Sequence, residues 1–423
     1  MSIDVVVGAN WGDEGKGRMV DYLARDAAFV VRYQGGNNAG HTVVNEFGEF
    51  KLHLLPSGVF YPSVTNILGP GMVIDLEGLV AELDELENSG ITPNMRISDR
   101  ATICFPFHRL EDALEEDRLG KNAYGSTRRG IAPAYGDRTV KKAIQVGELL
   151  YPKRFDERLK QIASWKLERL QAFYGDNRDV FSVNDTVAWA QRFGDRIRPY
   201  ITDTSMLLEE GAAQGQNILF EAQLGTLRDL NFGIYPFTTS SCTLASYASI
   251  GGGLFGHKID NVIAVVKAFS TCVGEGPFVT EMDQEEGDAL RESAKEYGAA
   301  TGRPRTIGHF DAVATRYGAW AQGTTAVALT KLDSLSGRRT LKICTRYHWD
   351  GKVYEQFPLN AVLEEATPEY VEMPGWDEDI SGVRHFDRLP QTAQDYVLAV
   401  EQAIGRPIRY VSVGPEREAL IVR

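Results

Sequence analysis

Cysteine is scarce. Cys104, Cys242, Cys272 and Cys344 are the only four among 423 residues, and no two form a C-x-x-C pair. Such spacing indicates neither a disulfide framework nor a zinc site, and it suits a reducing cytoplasm. An excess of positive charge is missing too, since 45 Lys and Arg stand against 58 Asp and Glu. General binding to nucleic acid or to an anionic membrane is therefore not expected, although a local basic pocket stays open. Nothing approaches a membrane span. The start Met1-Ser2-Ile3-Asp4 lacks the basic and apolar segments of a signal peptide, and the mature protein is expected to begin there. Internal repeats, low-complexity tracts and long linkers are lacking as well. What remains is an ordinary globular composition, 43% hydrophobic and 24% charged, for which one continuous domain over 1–423 is the simplest organisation.

The stretch that organises the chain is Gly8-Ala9-Asn10-Trp11-Gly12-Asp13-Glu14-Gly15-Lys16-Gly17, between the apolar run Val5-Val6-Val7 and the helix-like Arg18-Met19-Val20-Asp21-Tyr22-Leu23. Strand, glycine loop and helix together cradle phosphate, because backbone N–H groups and the positive helix end converge on one anion. Lys16 adds a full charge. A standard P-loop would need Gly at Asn10 and Ser or Thr at Gly17. Asp13 is the unusual member. A carboxylate among phosphates is repelled unless it holds a metal or takes a proton.

Alternating strands and helices follow, as in a parallel or mixed sheet flanked by helices, with helical and small-sheet excursions. The strand 27–33 runs into Gln34-Gly35-Gly36-Asn37-Asn38-Ala39-Gly40-His41-Thr42, whose glycines and polar groups can approach a ligand closely. If this loop and the first leave one sheet edge, Asp13 and His41 face a single crevice as base and acid. A clear helix is expected at 76–88, and a loop rich in hydroxyls and arginines at 125–138, suited to a phosphate monoester. Residues 151–211 read as a helical excursion, with Phe155, Leu159, Ile162, Leu170 and Phe173 as packing positions. Strands are expected at 218–220, 261–269, 326–329 and 407–411, and a last helix at 390–404. Thr330-Lys331-Leu332-Asp333 after the apolar run 326–329 fits a guanine reader, since a carboxylate can accept both the ring N1–H and the 2-amino group. Ser412-Val413-Gly414-Pro415 could close over a flat base.

Five motifs in this order carry a family resemblance: W-G-D-E-G-K-G at 11–17, Q-G-G-x-N-A-G-H-T at 34–42, R-G-I-x-P-A-Y at 129–135, T-G-R-x-R at 301–305 and T-K-L-D at 330–333. Together they resemble the adenylosuccinate synthetase family, ligases that join IMP to aspartate with GTP. The resemblance implies that Asp13, His41, Lys16 and Gln34 are catalytic, and that Mg²⁺ is held by Asp13 and the carbonyl of Gly40. It implies GTP contacts from Gly12, Asp13, Glu14, Gly15, Lys16, Gly17, Arg18, Gly40, His41 and Thr42. Arg305, Lys331, Leu332, Asp333, Ser412, Val413 and Gly414 complete that set. IMP falls to Asn38, Ala39, Thr127, Lys141, Gln223, Leu224, Thr239 and Arg303. Aspartate falls to Ala299, Ala300, Thr301, Gly302, Arg303 and Arg305. A homodimer is implied, with Lys141 reaching the other subunit's site.

Four positions depart from the family pattern. Leu224 stands where a base-contacting glutamine is expected, Lys141 where an arginine is, Ala300 where a threonine is, and Cys242 where an asparagine is. Lysine keeps the charge but loses the bidentate fork. Two other readings stay open at this point: a paralogue ligating aspartate to a different purine, and a GTP-binding regulatory protein without chemistry.

Overall fold

The computed structural model describes residues 1–175, 181–298 and 302–423. Its centre is a ten-stranded sheet. The strands in chain order are β1 (Ile3–Gly8), β2 (Phe29–Arg32), β3 (Thr65–Leu68), β4 (Met95–Ser98), β5 (Ile201–Thr202), β6 (Ile218–Glu221), β7 (Asn261–Lys267), β8 (Ala326–Thr330), β9 (Ile408–Ser412) and β10 (Leu420–Val422). Across the sheet they lie β10-β9-β8-β7-β1-β6-β2-β3-β4-β5. Every adjacent pair is parallel except β9 and β10.

The apolar run in β1 is buried on both faces, as a central parallel strand must be. Val5 and Val7 join one core, and Val6 joins the other with Met19 and Val20 of α1 (Lys16–Ala24). Full burial of each such side chain stabilises by about 1.5–3 kcal/mol. The expected helix at 76–88 is α2 (Leu76–Asn88), whose Leu76, Leu79, Leu83 and Leu86 fall at helix spacing on one buried face. A small sheet built on the antiparallel pair Thr340–Trp349 and Thr367–Pro374 forms a separate excursion.

Two expectations need correction. The 125–138 segment is only half a loop: α3 (Pro106–Leu119) precedes it, and α4 (Ile131–Thr139) begins after Gly130. Pro133 lies in the first turn of α4, where a missing N–H costs little, so proline there does not mark a loop. The excursion 151–211 contains α5 (Pro152–Tyr174) and α6 (Val183–Ile197), then β5, which joins the main sheet edge. Phe155, Leu159 and Ile162 pack into the core as expected, whereas Phe173 is 64% exposed because the last turn of α5 passes the mouth of a cavity.

The register puts the ends of β1, β6 and β2 side by side, with Val6 opposite Glu221 and Glu221 opposite Arg32. The two glycine-rich loops therefore leave the same carboxyl edge, separated by one strand. That edge is where open α/β sheets bind ligands.

Candidate active site

The loop from β1 to α1 is braced by a carboxylate inside it. Glu14 Oε1 accepts the backbone N–H groups of Asn10 (3.2 Å) and Gly12 (2.9 Å), and Glu14 Oε2 receives Lys16 Nζ at 2.7 Å. Both side chains are buried, so this pair is far better insulated than a surface salt bridge. Lys16 is thus held in place, with its charge partly balanced. Asp13 adopts a left-handed φ of 59° and faces an open cavity of about 850 Å³. Its Oδ2 accepts a bond from Arg305 Nη2 at 2.9 Å.

His41 begins the strand after the second loop and lies on α1. A Cβ added to Gly17 would stand 2.5 Å from His41 Cδ2, so the imidazole occupies the space that the Ser or Thr of a P-loop would need. His41 Nε2 is 3.4 Å from Glu221 Oε1, and Nδ1 is 3.5 Å from Arg32 Nη1. Burial first, and the Arg32 cation second, hold its pKa well below the ordinary value, so the ring is neutral near pH 7. Glu221 is fixed by Ser57, which donates from its backbone N (2.8 Å) and its Oγ (2.9 Å).

Gln34 is directed to the next loop. Its Nε2 donates to the Gln223 carbonyl at 2.8 Å, and its Oε1 accepts from Ser241 Oγ at 3.3 Å. Gln223 is buried, its Nε2 donating to the carbonyls of Gly36 (2.6 Å) and His53 (3.2 Å) and its Oε1 accepting from Gly36 N. The amide of Gln223 therefore braces the 34–42 loop, and Leu224, at φ 56°, lines the cavity in its place.

Asn38, Ala39 and Gly40 line the cavity beside Asp13, with Thr127, Thr238, Thr239 and Ser240 among the other lining residues. Two carboxylates on α3 shape the Thr127 loop. Asp112 accepts from Ser126 Oγ (2.7 Å) and Gly130 N (2.8 Å), and Glu116 from the backbone of Tyr124 and Gly125. Of that loop's arginines, Arg128 pairs with Asp117 and Arg138 donates to the Pro70 carbonyl, and neither lines the cavity. Among the described residues, the arginines that line it are Arg169, Arg228, Arg303 and Arg305. Lys141 is exposed just beyond α4 with φ 64°. Cys242 is half-buried, its thiol pushed up to about 12 mainly by burial. Gly302 is exposed, and Ala299, Ala300 and Thr301 lie outside the described residues.

The expected guanine end lies past the tips of β8 and β9. Thr330 Oγ1 donates to the Glu14 carbonyl at 2.6 Å, tying this end to the first loop. Lys331, at φ 63°, opens the turn that carries the buried Leu332 and the half-buried Asp333, whose carboxyl is raised by burial. Ser412, Val413 and Gly414 are buried, and Ser412 Oγ donates to the Gly414 carbonyl at 3.1 Å. Arg18 holds the adjoining turn by donating to the carbonyls of Glu416 and Ala419. Thr42 pairs with Lys51 in a hairpin.

Sequence reading missed the charges beneath the site. Lys267 and Glu296 form a buried ion pair at 2.7 Å, and Glu296 also binds Arg305. Arg32 ends an otherwise apolar strand, and Lys267 does the same. A lone charge closing a buried run was the available signal, since such a group is retained only where it is paired.

For a metal, the described residues contain no group of three or more His, Cys, Asp and Glu. Asp13 and Gly40 nevertheless border one cavity, and Mg²⁺ is held by one or two carboxylates when phosphate oxygens complete its shell. The donors present fit that ion.

Residues 5–421 match the sequence profile of the adenylosuccinate synthetase family. The chain is 52% identical over 419 residues to adenylosuccinate synthetase 2 of Pseudoalteromonas translucida, covering 99% of each chain. It is 47% identical to the adenylosuccinate synthetase of Caldanaerobacter subterraneus over 100% of this chain and 99% of that one. The structure of fully ligated adenylosuccinate synthetase from Plasmodium falciparum matches with a TM-score of 0.93 at 33% identity, covering 100% of both chains. A cyanophage S-2L succinoaminodeoxyadenylate synthetase shares the fold at 17% identity and a TM-score of 0.61, over 100% of this chain and 95% of that one. With the profile spanning nearly its whole length and relatives at this identity, the chain belongs to the adenylosuccinate synthetase family.

Proposed function

We propose that this cleft carries out the family's reaction, the GTP-dependent joining of L-aspartate to IMP with release of GDP and phosphate, through the following roles. Asp13 takes the N1 proton of IMP, which turns the 6-oxygen of a lactam into a nucleophile toward the γ-phosphorus of GTP. Lys16 and the loop N–H groups draw charge from the phosphates. His41, neutral, with Nδ1 facing the Arg32 guanidinium and Nε2 without a hydrogen-bond partner among the described residues, donates from its Nε2–H to the transferring phosphoryl group. Asp13 and the Gly40 carbonyl would hold Mg²⁺, which would supply charge neutralisation at the phosphates. The aspartate amino group then displaces phosphate from 6-phosphoryl-IMP, a better leaving group than hydroxide.

Asn38, Thr127 and Thr239 hold IMP, the two threonines toward its phosphate, while Arg303 and Arg305 meet aspartate. Lys331, Asp333, Ser412 and Gly414 hold the guanosine. One observation carries the reading: Asp13 faces the same cavity as Asn38, Thr127, Thr239 and Arg303, beside a lysine-bearing glycine loop. A homodimer in which Lys141 reaches the partner's IMP phosphate belongs to the proposal, as does one domain over 1–423 in the cytoplasm. Lys141 is exposed beyond α4, and all four cysteines are unpaired, as a reducing compartment requires.

Full-length matches to relatives bearing one name do not favour a paralogue for another purine. The test is to supply GTP, Mg²⁺, aspartate and a panel of purine monophosphates, and to follow the absorbance of an N6-substituted purine. Turnover with IMP is expected. Turnover only with another base would overturn the substrate, and GTP binding without any turnover would favour a regulatory protein.

A further inference from the structure

One fully buried carboxylate sits where the two ligand-facing segments of the nucleotide side converge. Glu296 follows the helix Gln284–Ala294, which ends at Lys295 with a left-handed φ of 54°. Glu296 Oε2 accepts from Lys267 Nζ at 2.7 Å and from Arg305 Nη1, and Glu296 Oε1 stands 3.5 Å from Lys331 Nζ. The Glu296 backbone carbonyl also accepts the Arg305 N–H at 3.1 Å, so the two ends of the 296–305 segment are clasped by main chain and side chain together. Burial opposes charge here, but three cations outweigh it and hold the carboxyl down at about 2.

Each cation has a different origin. Lys267 ends the central strand β7, Lys331 opens the turn with Asp333, and Arg305 follows the loop of Arg303. Arg305 spends one nitrogen on Glu296 and the other on Asp13. When a ligand claims Asp13, the first bond still fixes the fork, so the freed nitrogen stays aimed at the cavity and is not lost to solvent.

We propose that Glu296 is the positioning residue for both aspartate and GTP, setting Arg305 for the amino-acid carboxylate and Lys331 for the guanosine. The role rests on the ligase function proposed above. The IMP contacts at Thr127 and Thr239 are outside this cluster.

The test is Glu296→Gln, which keeps shape and removes charge, with each substrate varied in turn. Losing the charge-assisted bond at Arg305, and the ionic attraction on Lys331, whose Nζ then keeps, among the described residues, only its bond to the Ala294 carbonyl, is expected to raise the KM for aspartate and for GTP about 10- to 100-fold. The KM for IMP should stay within about twofold, a split that general loosening would not give. Equal rises for all three substrates, or none, would overturn the role. If a buried, unbalanced Lys267 unfolds that variant, Lys267→Met with Glu296→Gln removes both charges of the pair. This double variant should fold and still show both raised KM values, and wild-type values in it would overturn the role. A wild-type chain inactive on IMP would sink the ligase reading instead. Calorimetric GTP affinity, expected to fall about tenfold in Glu296→Gln, would then decide the positioning role without turnover.

Discussion

Arg305 and Asp13, both lining the cavity, form an ion pair at 2.9 Å that joins the 302–305 segment to the first glycine loop. Asp13 is only 23% exposed at its side chain and Arg305 11%, so the bond is partly shielded from water. A cation thus occupies the carboxylate proposed as base and metal ligand. Ligand binding exchanges one positive partner for another, which limits the cost of keeping a charged side chain ready.

Asp13→Ala therefore removes the proposed base and one of the two proposed metal contacts while leaving the loop's brace at Glu14 intact. Turnover should fall by at least about 10²- to 10⁴-fold, the usual worth of a positioned general base. GTP should still bind at saturating Mg²⁺ when followed by calorimetry. Appreciable residual activity would refute the assignment.

Leu224 and Gln223 make opposite predictions although they are adjacent. Leu224 lines the cavity and Gln223 is spent on Gly36 and His53. Leu224→Gln places an amide in the pocket and should lower the KM for IMP, by about 5- to 150-fold if a bond worth about 1–3 kcal/mol forms. Gln223→Ala should instead lower stability by about 1–3 kcal/mol in urea unfolding, because buried loop groups lose their partner. A KM effect of Gln223→Ala with unchanged stability would reverse the two roles.

Most of the fold was legible because the central strands carry continuous apolar runs and the loops after them carry glycine. The helix at 76–88 was read to the residue, since its leucines repeat at helix spacing between Asp75 and Ser89. Of the residues expected at the site, Asp13, Asn38, Thr127, Thr239 and Arg303 line one cavity. What sequence did not disclose is how the charges are shared. Lys16 is balanced by Glu14 and Arg305 by Glu296, pairings made over 2 and 9 residues that no motif spacing encodes. The amide of Gln223, read as an IMP contact, turned out to be fastened to backbone, because β6 directs it toward the 34–42 loop.

Asp311 offers a pH prediction. It is fully buried, caps the helix Ala312–Gln322 through Ala314 N, and accepts from Tyr347 Oη at 2.6 Å. Burial raises its carboxyl to about 6 despite those bonds. A raised folded-state value means the folded protein holds the proton more tightly. The stabilisation is full below about 3.9, the unfolded value, and is lost as pH rises through about 6. Asparagine keeps the cap and cannot titrate. Relative to Asp311→Asn, the wild-type chain should lose about 2 kcal/mol between pH 4 and pH 7 in urea unfolding. A pH-independent difference between the two would show that the carboxyl is not shifted.

The proposed dimer makes Lys141 separable from Asp13 by mixing. Each of Asp13→Ala and Lys141→Ala should be weak alone, the first for want of a base and the second for want of a cation at the partner's IMP phosphate. If Lys141 acts across the interface, a mixed dimer has one site that lacks both groups and one that lacks neither. Co-unfolding and refolding the two variants together should then restore turnover above the sum of the separate preparations. The KM for IMP in the restored fraction should match the wild-type chain. If Lys141 serves its own subunit, every site in the mixture is missing one group, and no recovery is possible. Lysine lacks the arginine fork, so Lys141→Arg should lower the KM for IMP, about two- to tenfold for one added charge-assisted bond. That gain should appear only when the intact Asp13 lies on the opposite subunit.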